Sequence, residues 1–244
     1  MNQSNPINTA FDFRTDTPPG KDPDTWSPTL CTYHKLLWSK PLPDGTMFTL
    51  LHKPNPPFYL HHDSERGRFC LSSDTVIPTF RKQKSLSDVF ARIPDEMRNF
   101  GGLGYTIGGM MVFPAIQVDR QRTINQARGF NARIKDRFDH TLECIRRHYA
   151  SEESPLSDVL TRYADFFQLF GDFRGYVAFF HLQDLLTPDA SAVEFFSPFN
   201  DFKTSPVPDS VEAYLAYRKN AVNFLKARNQ RIQNWAEIHL NPDA

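Results

Sequence analysis

Apolar and polar positions follow two different periods along the chain. In the first half, short β-prone runs are separated by Pro, Gly, Asn and Asp, which is the spacing of an antiparallel meander. In the second half, apolar residues recur at helical spacing. This segregation predicts an α+β fold with short antiparallel strands in the N-terminal half and a helical C-terminal half. The predicted strands cover residues 47–52, 58–61, 68–72, 75–80 and 105–113.

Helical periodicity is strongest after residue 130. Ser154 followed by Pro155 has the form of a helix start, with a capping side chain before proline at the first helical position. An apolar row from Val211 to Trp235 predicts a long last helix. The predicted helices cover residues 31–37, 87–100 with an interruption at Pro94, 132–150, 154–171, 173–186 and 210–239.

The N-terminal residues 1–28 have a different character from the rest. They are polar and rich in Pro, Asp and Thr, and each proline fixes its own φ and restricts the residue before it. This predicts an extended arm whose Phe11, Phe13 and Trp26 dock on the body. Residues 29–244 are expected to form a single α+β domain, β-rich over 29–115 and helical over 130–240.

Composition narrows the class of protein. The chain has 22 Phe, 8 Tyr and 3 Trp, which predicts a core built largely from aromatic rings. Its three cysteines are odd in number and widely spaced, which favours a reduced, cytoplasmic location over a disulfide framework. The N-terminus lacks a basic and apolar leader pattern, and no apolar run approaches the ~18 residues of a membrane span. We therefore expect no membrane partner.

Positive charge is concentrated between Arg120 and Tyr149, although the formal net charge of the chain is zero. Such asymmetry favours an anionic partner. The unpaired charge is expected mainly in the loop at Arg120, Arg122 and Arg128, before a helix N-terminus that would add free N–H groups. The predicted anion-binding residues are Arg120, Arg122, Asn125, Arg128, Arg133, Arg137 and Arg147.

The helix predicted over 132–150 also carries the candidate catalytic residues. Asp136, His140, Glu143 and Arg147 recur at spacings of four, three and four, on one side of such a helix. A histidine flanked by carboxylates and arginines titrates near pH 7, and the neighbouring arginines are suited to bind phosphate. His140 and Asp136 are therefore the candidate catalytic residues. Arg133 and His140 also fit the R-x6-H spacing of HEPN-type ribonucleases. The alternative is an ion-pair lattice with no chemistry.

Two other clusters were weighed for binding. The set Tyr33, His34, Trp38, Ser39 and Lys40 combines aromatic and basic side chains that could stack on and neutralise a nucleotide, or simply anchor the fold. His61 and His62 are adjacent on a predicted strand and so face opposite sides, which argues against a metal site. The signatures of dinucleotide binding, NTP hydrolysis, zinc proteolysis and serine hydrolysis are missing, so no cofactor is predicted.

Several strings spread over nearly the whole chain carry a resemblance to a known family. The chain resembles a family of bacterial proteins with a domain of unknown function, which implies a single bacterial, cytoplasmic domain and carries over no catalytic residues. The strings are FDFRTDTPPGKDPD, YHKLLWSKPLPDG, GYTIGGMMVFP, INQARGFNARIKDRFDHTLECIRRHY and RYADFFQLFGDFRGYVAFFHLQDL.

Two hypotheses for function follow from the sequence. The first is binding of a phosphate-bearing partner, nucleic acid or a nucleotide, through the Arg-rich loop and helix, with His140 assisting phosphodiester cleavage. The alternative is a non-catalytic protein-interaction or self-associating module whose arginines pair internally. In that case Phe195, Phe196, Phe199 and Phe202 would present an apolar surface to the partner.

Overall fold

The structure is a computed structural model that describes residues 6–52, 60–81, 83–98, 100 and 102–240. Its strands lie in the first half of the chain and its longest helices in the second. The predicted α+β fold, with short antiparallel strands preceding helices, is therefore confirmed. The part of the predicted strand at residues 58–59 lies outside the described residues.

The strands form two antiparallel sheets. One pairs β1 with β2, and the other has the order β3-β4-β5-β6. In the larger sheet β5 pairs with both β4 and β6, and β6 is buried along its whole length. The strands are β1 (Lys40–Pro41), β2 (Met47–Phe48), β3 (Leu51–His52), β4 (Leu60–Ser64), β5 (Gly67–Thr75) and β6 (Met110–Pro114).

Two predicted strand segments are wrong. The segment 75–80 leaves the sheet after the Val76 N–H bonds to the Gly109 carbonyl oxygen at 3.0 Å, because Pro78 has no N–H to continue the ladder. Residues 103–109 form two 3-10 turns before β6. The Gly108 N–H there is taken by the Asn229 side chain at 2.8 Å, so it does not pair with a strand.

Nine helices lie in the described part of the chain. The long last helix is confirmed, and Ser27 caps the helix that begins with Pro28. The predicted helix over 154–171 is two helices, because Tyr163 between them has non-helical dihedrals and donates its hydroxyl to a distant backbone carbonyl. The helices are α1 (Pro23–Trp26), α2 (Pro28–Trp38), α3 (Ser87–Ala91), α4 (Ile124–Phe130), α5 (Phe138–Tyr149), α6 (Ser157–Arg162), α7 (Ala164–Gln168), α8 (Phe173–Phe179) and α9 (Val211–His239).

The helix predicted over 132–150 begins only at Phe138. Lys135 and Asp136 adopt left-handed backbone angles, with φ of 48° and 61°, and Arg137 is the extended N-cap of α5. Asp136 therefore does not share a helix with His140, and the predicted row of four side chains on one helix is wrong.

The N-terminal arm packs on the body, although it is not extended throughout. Phe13 is fully buried with its ring 5.8 Å from that of Tyr33, and the arm contains the one-turn helix α1. The Asp16 carboxylate accepts hydrogen bonds from Ser27 at 2.6 Å and from the Thr29 N–H at 2.9 Å. These contacts fix the arm to the start of α2.

Aromatic rings fill the core, as the composition predicts. The ring of Phe170 lies 5.4 Å from that of Tyr176 and 5.1 Å from that of Phe180, and Phe180 lies 5.2 Å from Trp38. This cluster joins α2 to α8. In the described part of the chain, no helix combines the length and apolar character that crossing a membrane requires.

Candidate functional site

Arg128 lies on a buried face of α4 rather than in an exposed loop. Its guanidinium is inaccessible to solvent. It donates to Asp74 Oδ2 at 2.6 Å, to Thr141 Oγ1 at 2.9 Å and to the backbone oxygen of Asp136 at 2.9 Å. Arg128 therefore ties α4 to β5 and α5, and it offers no group to an outside ligand.

Arg137 is also completely buried and paired. Its guanidinium forms two hydrogen bonds with the Asp139 carboxylate, and a third donor bonds the Pro206 carbonyl oxygen at 3.0 Å. Burial by itself raises the pKa of Asp139, but the charge and hydrogen bonds of Arg137 outweigh it and hold that pKa below its ordinary value. The pair fastens the loop after residue 196 to α5, since Asp139 also accepts from the Phe196 N–H at 2.9 Å.

Arg147 belongs to a partly exposed ion-pair network. It donates to Glu143 at 2.7 Å and to Asp201 at 2.5 Å, while Arg146 bonds the other oxygen of Glu143 at 2.8 Å and Glu152 at 2.8 Å. This is the arrangement that the ion-pair alternative predicts for the helix surface. Arg147 retains little positive charge for an additional anion.

The remaining predicted anion-binding residues are spread over the surface. Arg120, Arg122 and Arg133 are exposed, and the Arg122 guanidinium lies 4.2 Å from the centre of the Phe130 ring. Asn125 lies on α4 and makes a long hydrogen bond of 3.4 Å to a serine of the sheet. The predicted set thus divides into buried, paired arginines and separate exposed ones, and it does not line one cleft.

His140 is enclosed within the protein. Its Nδ1–H donates to the Arg133 carbonyl oxygen at 3.0 Å, and Nε2 is buried without a partner. Burial lowers the pKa of His140, and no hydrogen bond joins its ring to the Asp136 carboxylate among the described residues. Three of the four rings that the alternative hypothesis assigns to a partner surface pack edge-on around it, and two of them, Phe195 and Phe199, are partly exposed. The three rings are Phe195, Phe199 and Phe202, with centroids at 5.7, 5.3 and 5.5 Å.

A large cavity lies elsewhere, between β1, α8 and the end of α9. Its volume is about 770 Å³, and it is open to solvent. Its wall includes apolar side chains from all three elements, such as Pro41, Phe179 and Ile238. A cavity of this size lies within the ~300–1,000 Å³ typical of small-molecule sites.

Lys40 of β1 places its amine in an aromatic cage beside this cavity. The Nζ atom lies 5.2 Å from the ring centre of Trp38, 4.7 Å from that of Phe179 and 4.9 Å from that of Trp235. No carboxylate pairs with it among the described residues. Burial, with the charge of Arg228, lowers the pKa of Lys40 to about 7.

His181 is the hydrogen-bonding partner of Lys40. It follows α8 with a left-handed φ of 54°, and its Nε2 lies 3.1 Å from the amine. Burial, followed by the charge of Lys40, lowers the pKa of His181 to about 2, so the ring is neutral and Nε2 accepts the bond. Rings of Trp38 and Trp235 pack against it at 5.7 and 5.5 Å, which fixes its orientation.

Arg228 is a buried cation beneath the same site. Its guanidinium donates to the carbonyl oxygens of Gly108 at 3.0 Å, Met110 at 2.9 Å and Phe180 at 3.0 Å, and it forms no salt bridge with a described carboxylate. Burial lowers its pKa to about 9. This positive charge next to the cage makes a second cation at Lys40 more costly.

Further cations line the opening of the cavity. Arg174 is exposed and forms no ion pair among the described residues, whereas Arg231 holds Asp184 through two hydrogen bonds of 2.9 and 2.8 Å. Gln183 also lines the cavity, and its Oε1 is buried without a hydrogen-bond partner. The site thus combines excess positive charge, aromatic faces and a polar atom, Gln183 Oε1, that has no hydrogen-bond partner.

Sequence reasoning identified part of this site. Trp38 and Lys40 belong to the aromatic and basic set Tyr33, His34, Trp38, Ser39 and Lys40 that the sequence suggests, and the Trp38 ring forms one wall of the cage around the Lys40 amine. His181, Trp235 and Arg228 were missed, because each lies in an apolar or helical stretch that resembles ordinary core. Among the described residues, no three His, Cys, Asp or Glu side chains are arranged to hold a metal ion.

Comparison with known proteins yields one similarity. A model for a family of unknown function, DUF6994, matches residues 7–232. No curated protein and no solved structure matches the chain. Any activity of the chain therefore has to be inferred from the cavity and its side chains.

Proposed function

Since the chain belongs to the DUF6994 family of unknown function, we propose from its own geometry that it binds a small phosphate-bearing ligand beside Lys40. A nucleotide is one member of this class, because it combines phosphate with an aromatic base. The observation that carries the proposal is the Lys40 amine, which is buried in the aromatic cage beside a cavity of about 770 Å³ and has no described carboxylate partner.

Electrostatics supports an anionic occupant. A buried ammonium group without a counter-ion is costly, and a bound anion would offset that cost. Arg174 of α8 lines the same opening and forms no ion pair among the described residues, so it is available to an anion entering the cavity, whereas Arg231 of α9 is held by Asp184. Arginine forms paired hydrogen bonds to phosphate, and its planar guanidinium suits that geometry.

The aromatic faces support a ligand that also has a flat, unsaturated part. Trp235 is half-buried and lines the cavity, and Phe179 lies on the opposite element. Base–aromatic stacking contributes ~1–3 kcal/mol per ring in nucleic-acid sites. The proposal therefore keeps the ligand class expected from the sequence and moves its site from the Arg-rich loop to the cavity at β1.

Binding is tested with inorganic phosphate, adenosine 5'-monophosphate and pyridoxine 5'-phosphate as probes. Calorimetry and thermal unfolding at pH 7 should show binding to the wild-type chain. A probe at a hundred times its Kd stabilises a protein by ~2.7 kcal/mol. Lys40→Met and Arg174→Met should weaken binding at least tenfold, because each removes a cation at the cavity.

The matched controls are Lys35→Met on α2 and Arg133→Met before α5, which remove exposed cations away from the cavity. They should leave affinity unchanged. If none of the probes binds, or if the controls weaken binding as much as Lys40→Met does, the proposed site is refuted. Loss of binding in Arg133→Met alone would favour the Arg-rich loop of the sequence-based hypothesis.

Binding should also be coupled to a proton. Because the pKa of Lys40 is about 7 in the free protein, a bound phosphate would raise that pKa and the complex would take up a proton near neutral pH. Affinity should fall as pH rises from 7 to 9. Calorimetry in two buffers of different ionisation enthalpy measures the number of protons taken up on binding. An uptake of zero would contradict a role for the Lys40 charge.

The second candidate function is a non-catalytic interaction module. It is favoured by one observation, which is that Arg128 and Arg137 are buried and hydrogen-bonded within the chain. A mass measurement in solution and affinity capture address it, and a strict monomer that retains no partner counts against it.

We also propose a cytoplasmic location and a bacterial source for the protein. Cys31, Cys70 and Cys144 are all buried and none of them is part of a disulfide among the described residues, which is consistent with a reducing compartment. Cell fractionation with an antibody against the chain tests the location.

A further inference from the structure

We propose, resting on the proposed function, that Lys40 is a nucleophile that forms an imine with an aldehyde or ketone carrying a phosphate or carboxylate group. The geometry that points to this is an amine held by a neutral histidine inside an aromatic cage, at the edge of a cavity lined by arginines. This reaction would make the cavity a covalent carbonyl site in addition to an anion site.

The aromatic cage favours the neutral form of the amine, which a nucleophilic lysine requires. Amines attack carbonyl carbon only in the neutral form, and a lysine surrounded by apolar rings and near another cation loses its proton more easily. An ordinary lysine with a pKa of ~10.4 has roughly one neutral amine in a few thousand at pH 7, whereas an amine whose pKa is about 7 is half neutral. Lys40 therefore has on the order of a thousandfold more reactive amine than a surface lysine.

Among the groups around the amine, the charge of Arg228 opposes its protonation, and His181 is a neutral hydrogen-bond acceptor. His181 follows α8, Arg174 lies on α8, and Arg228, Arg231 and His239 belong to α9. The carboxylate of Asp184 nearby is held by Arg231. No described carboxylate is thus left to stabilise the Lys40 ammonium.

The chemical step needs no oxidant or reductant. The lone pair of neutral Nζ forms a bond to the carbonyl carbon, and the C=O π electrons move to oxygen. A proton then passes from nitrogen to that oxygen to give a carbinolamine. The carbinolamine hydroxyl takes up a second proton, the C–O bond breaks and water leaves as the nitrogen lone pair forms the C=N bond. The remaining N–H proton is then released and replaces the proton taken up, so amine and carbonyl give imine and water. One N–H of the amine donates to His181 Nε2 at 3.1 Å, which limits rotation of the amine.

Arg174 favours carbonyl compounds that also carry an anionic group. Arg174 is the cation with no described ion pair, and it lines the same cavity as Lys40. A carbonyl compound bearing phosphate or carboxylate would place its anion near this guanidinium. A neutral aldehyde would lack that contact and should react no faster at Lys40 than at exposed lysines.

The test compares pyridoxal 5'-phosphate with pyridoxine 5'-phosphate, which has the same ring and phosphate but an alcohol in place of the aldehyde. The wild-type chain is incubated with the aldehyde at pH 7, and borohydride is then added, which reduces an imine to a stable secondary amine. Peptide mapping by mass spectrometry locates the label. Labelling at Lys40 should exceed labelling at the exposed Lys35 at least tenfold, and excess pyridoxine 5'-phosphate should suppress it.

Two variants separate charge from nucleophilicity. Lys40→Arg keeps a cation and should retain binding of pyridoxine 5'-phosphate while losing the selective label. Lys35→Arg is the matched control and should leave labelling at Lys40 unchanged. At probe concentrations well below saturation, where the free protein sets the pH dependence, the labelling rate at Lys40 should reach half its maximum near pH 7, far below the ~10.4 of an ordinary lysine.

The outcomes distinguish this inference from the proposed function. If both compounds bind but Lys40 is labelled no more than Lys35, the imine is refuted and phosphate binding stands. If neither compound binds and label is spread over exposed lysines, both proposals fail. Selective labelling of Lys40 that a neutral aldehyde reproduces equally well would refute the role given to Arg174.

Discussion

The change Lys40→Met should alter how the stability of the fold depends on pH. Methionine keeps an unbranched chain within the aromatic cage and removes the amine. The pKa of Lys40 is about 7 in the folded chain and ~10.4 when unfolded. Between these values the unfolded chain holds a proton that the folded chain has released, so the free energy of unfolding rises with pH. The slope is at most ~1.4 kcal/mol per pH unit for one proton.

Integrated from pH 7 to pH 9, this single group raises the free energy of unfolding by roughly 2 kcal/mol. Other titrating groups are common to both proteins and cancel in the difference. Lys40→Met should therefore be more stable than wild type at pH 7, because no buried ammonium has to be accommodated, and its advantage should shrink by roughly 2 kcal/mol at pH 9.

Urea unfolding followed by tryptophan fluorescence at pH 7, 8 and 9 measures the difference. The control Lys35→Met, at an exposed position on α2, should parallel wild type throughout. If Lys40→Met also runs parallel to wild type within ~0.5 kcal/mol, a typical size for a surface substitution, the amine is an ordinary lysine and both proposals for the cavity lose their basis.

Three further substitutions test the rest of the structure. Arg137→Met should lower the free energy of unfolding in urea by ~3–5 kcal/mol, because it leaves the buried Asp139 carboxylate unpaired. The double change with Asp139→Leu should recover most of that loss. A loss below ~1 kcal/mol in Arg137→Met would contradict the buried pair. Burial raises the pKa values of Asp24 and Asp74, so stability should fall as pH rises from about 4 towards 7. Asp24→Asn should flatten that pH profile, and an unchanged slope would count against it. Gly175→Ala should lower the melting temperature, because its Cβ would lie well inside contact distance of a backbone carbonyl oxygen; an unchanged temperature would show that α8 can shift.

Local patterns predicted the helices well where one side of the helix is simply apolar. The last helix was predicted over 210–239 and runs Val211–His239, since its apolar row and Ser210 cap are contained in the sequence itself. The helix predicted from residue 132 failed at its start. There the Arg128 guanidinium donates a hydrogen bond to the Asp136 carbonyl oxygen, and Lys135 and Asp136 have left-handed backbone angles. Helix propensities are properties of single residues and do not include such a contact.

Charge patterning was the least transferable part of the sequence. A cluster of arginines between Arg120 and Tyr149 indicates a basic surface only if the partners of each guanidinium are absent. Asp74, which pairs with Arg128, lies 54 positions away, and Pro206, which accepts from Arg137, lies 69 positions away. Those distances in sequence explain why the pattern predicts an anion site at a cluster in which two of the arginines, Arg128 and Arg137, are buried and hydrogen-bonded inside the fold.

By itself the sequence determined the α+β class, the aromatic core and the long last helix, because each depends on composition or on spacing within a few turns. Only the tertiary structure decided which cations remain unpaired. It buried Arg128 and Arg137 with acceptors from distant segments and brought His181 and Trp235 to Lys40 from 141 and 195 positions away. The physical reason is that a side chain's charge and reactivity depend on burial and on its nearest partners, and both are properties of the folded chain.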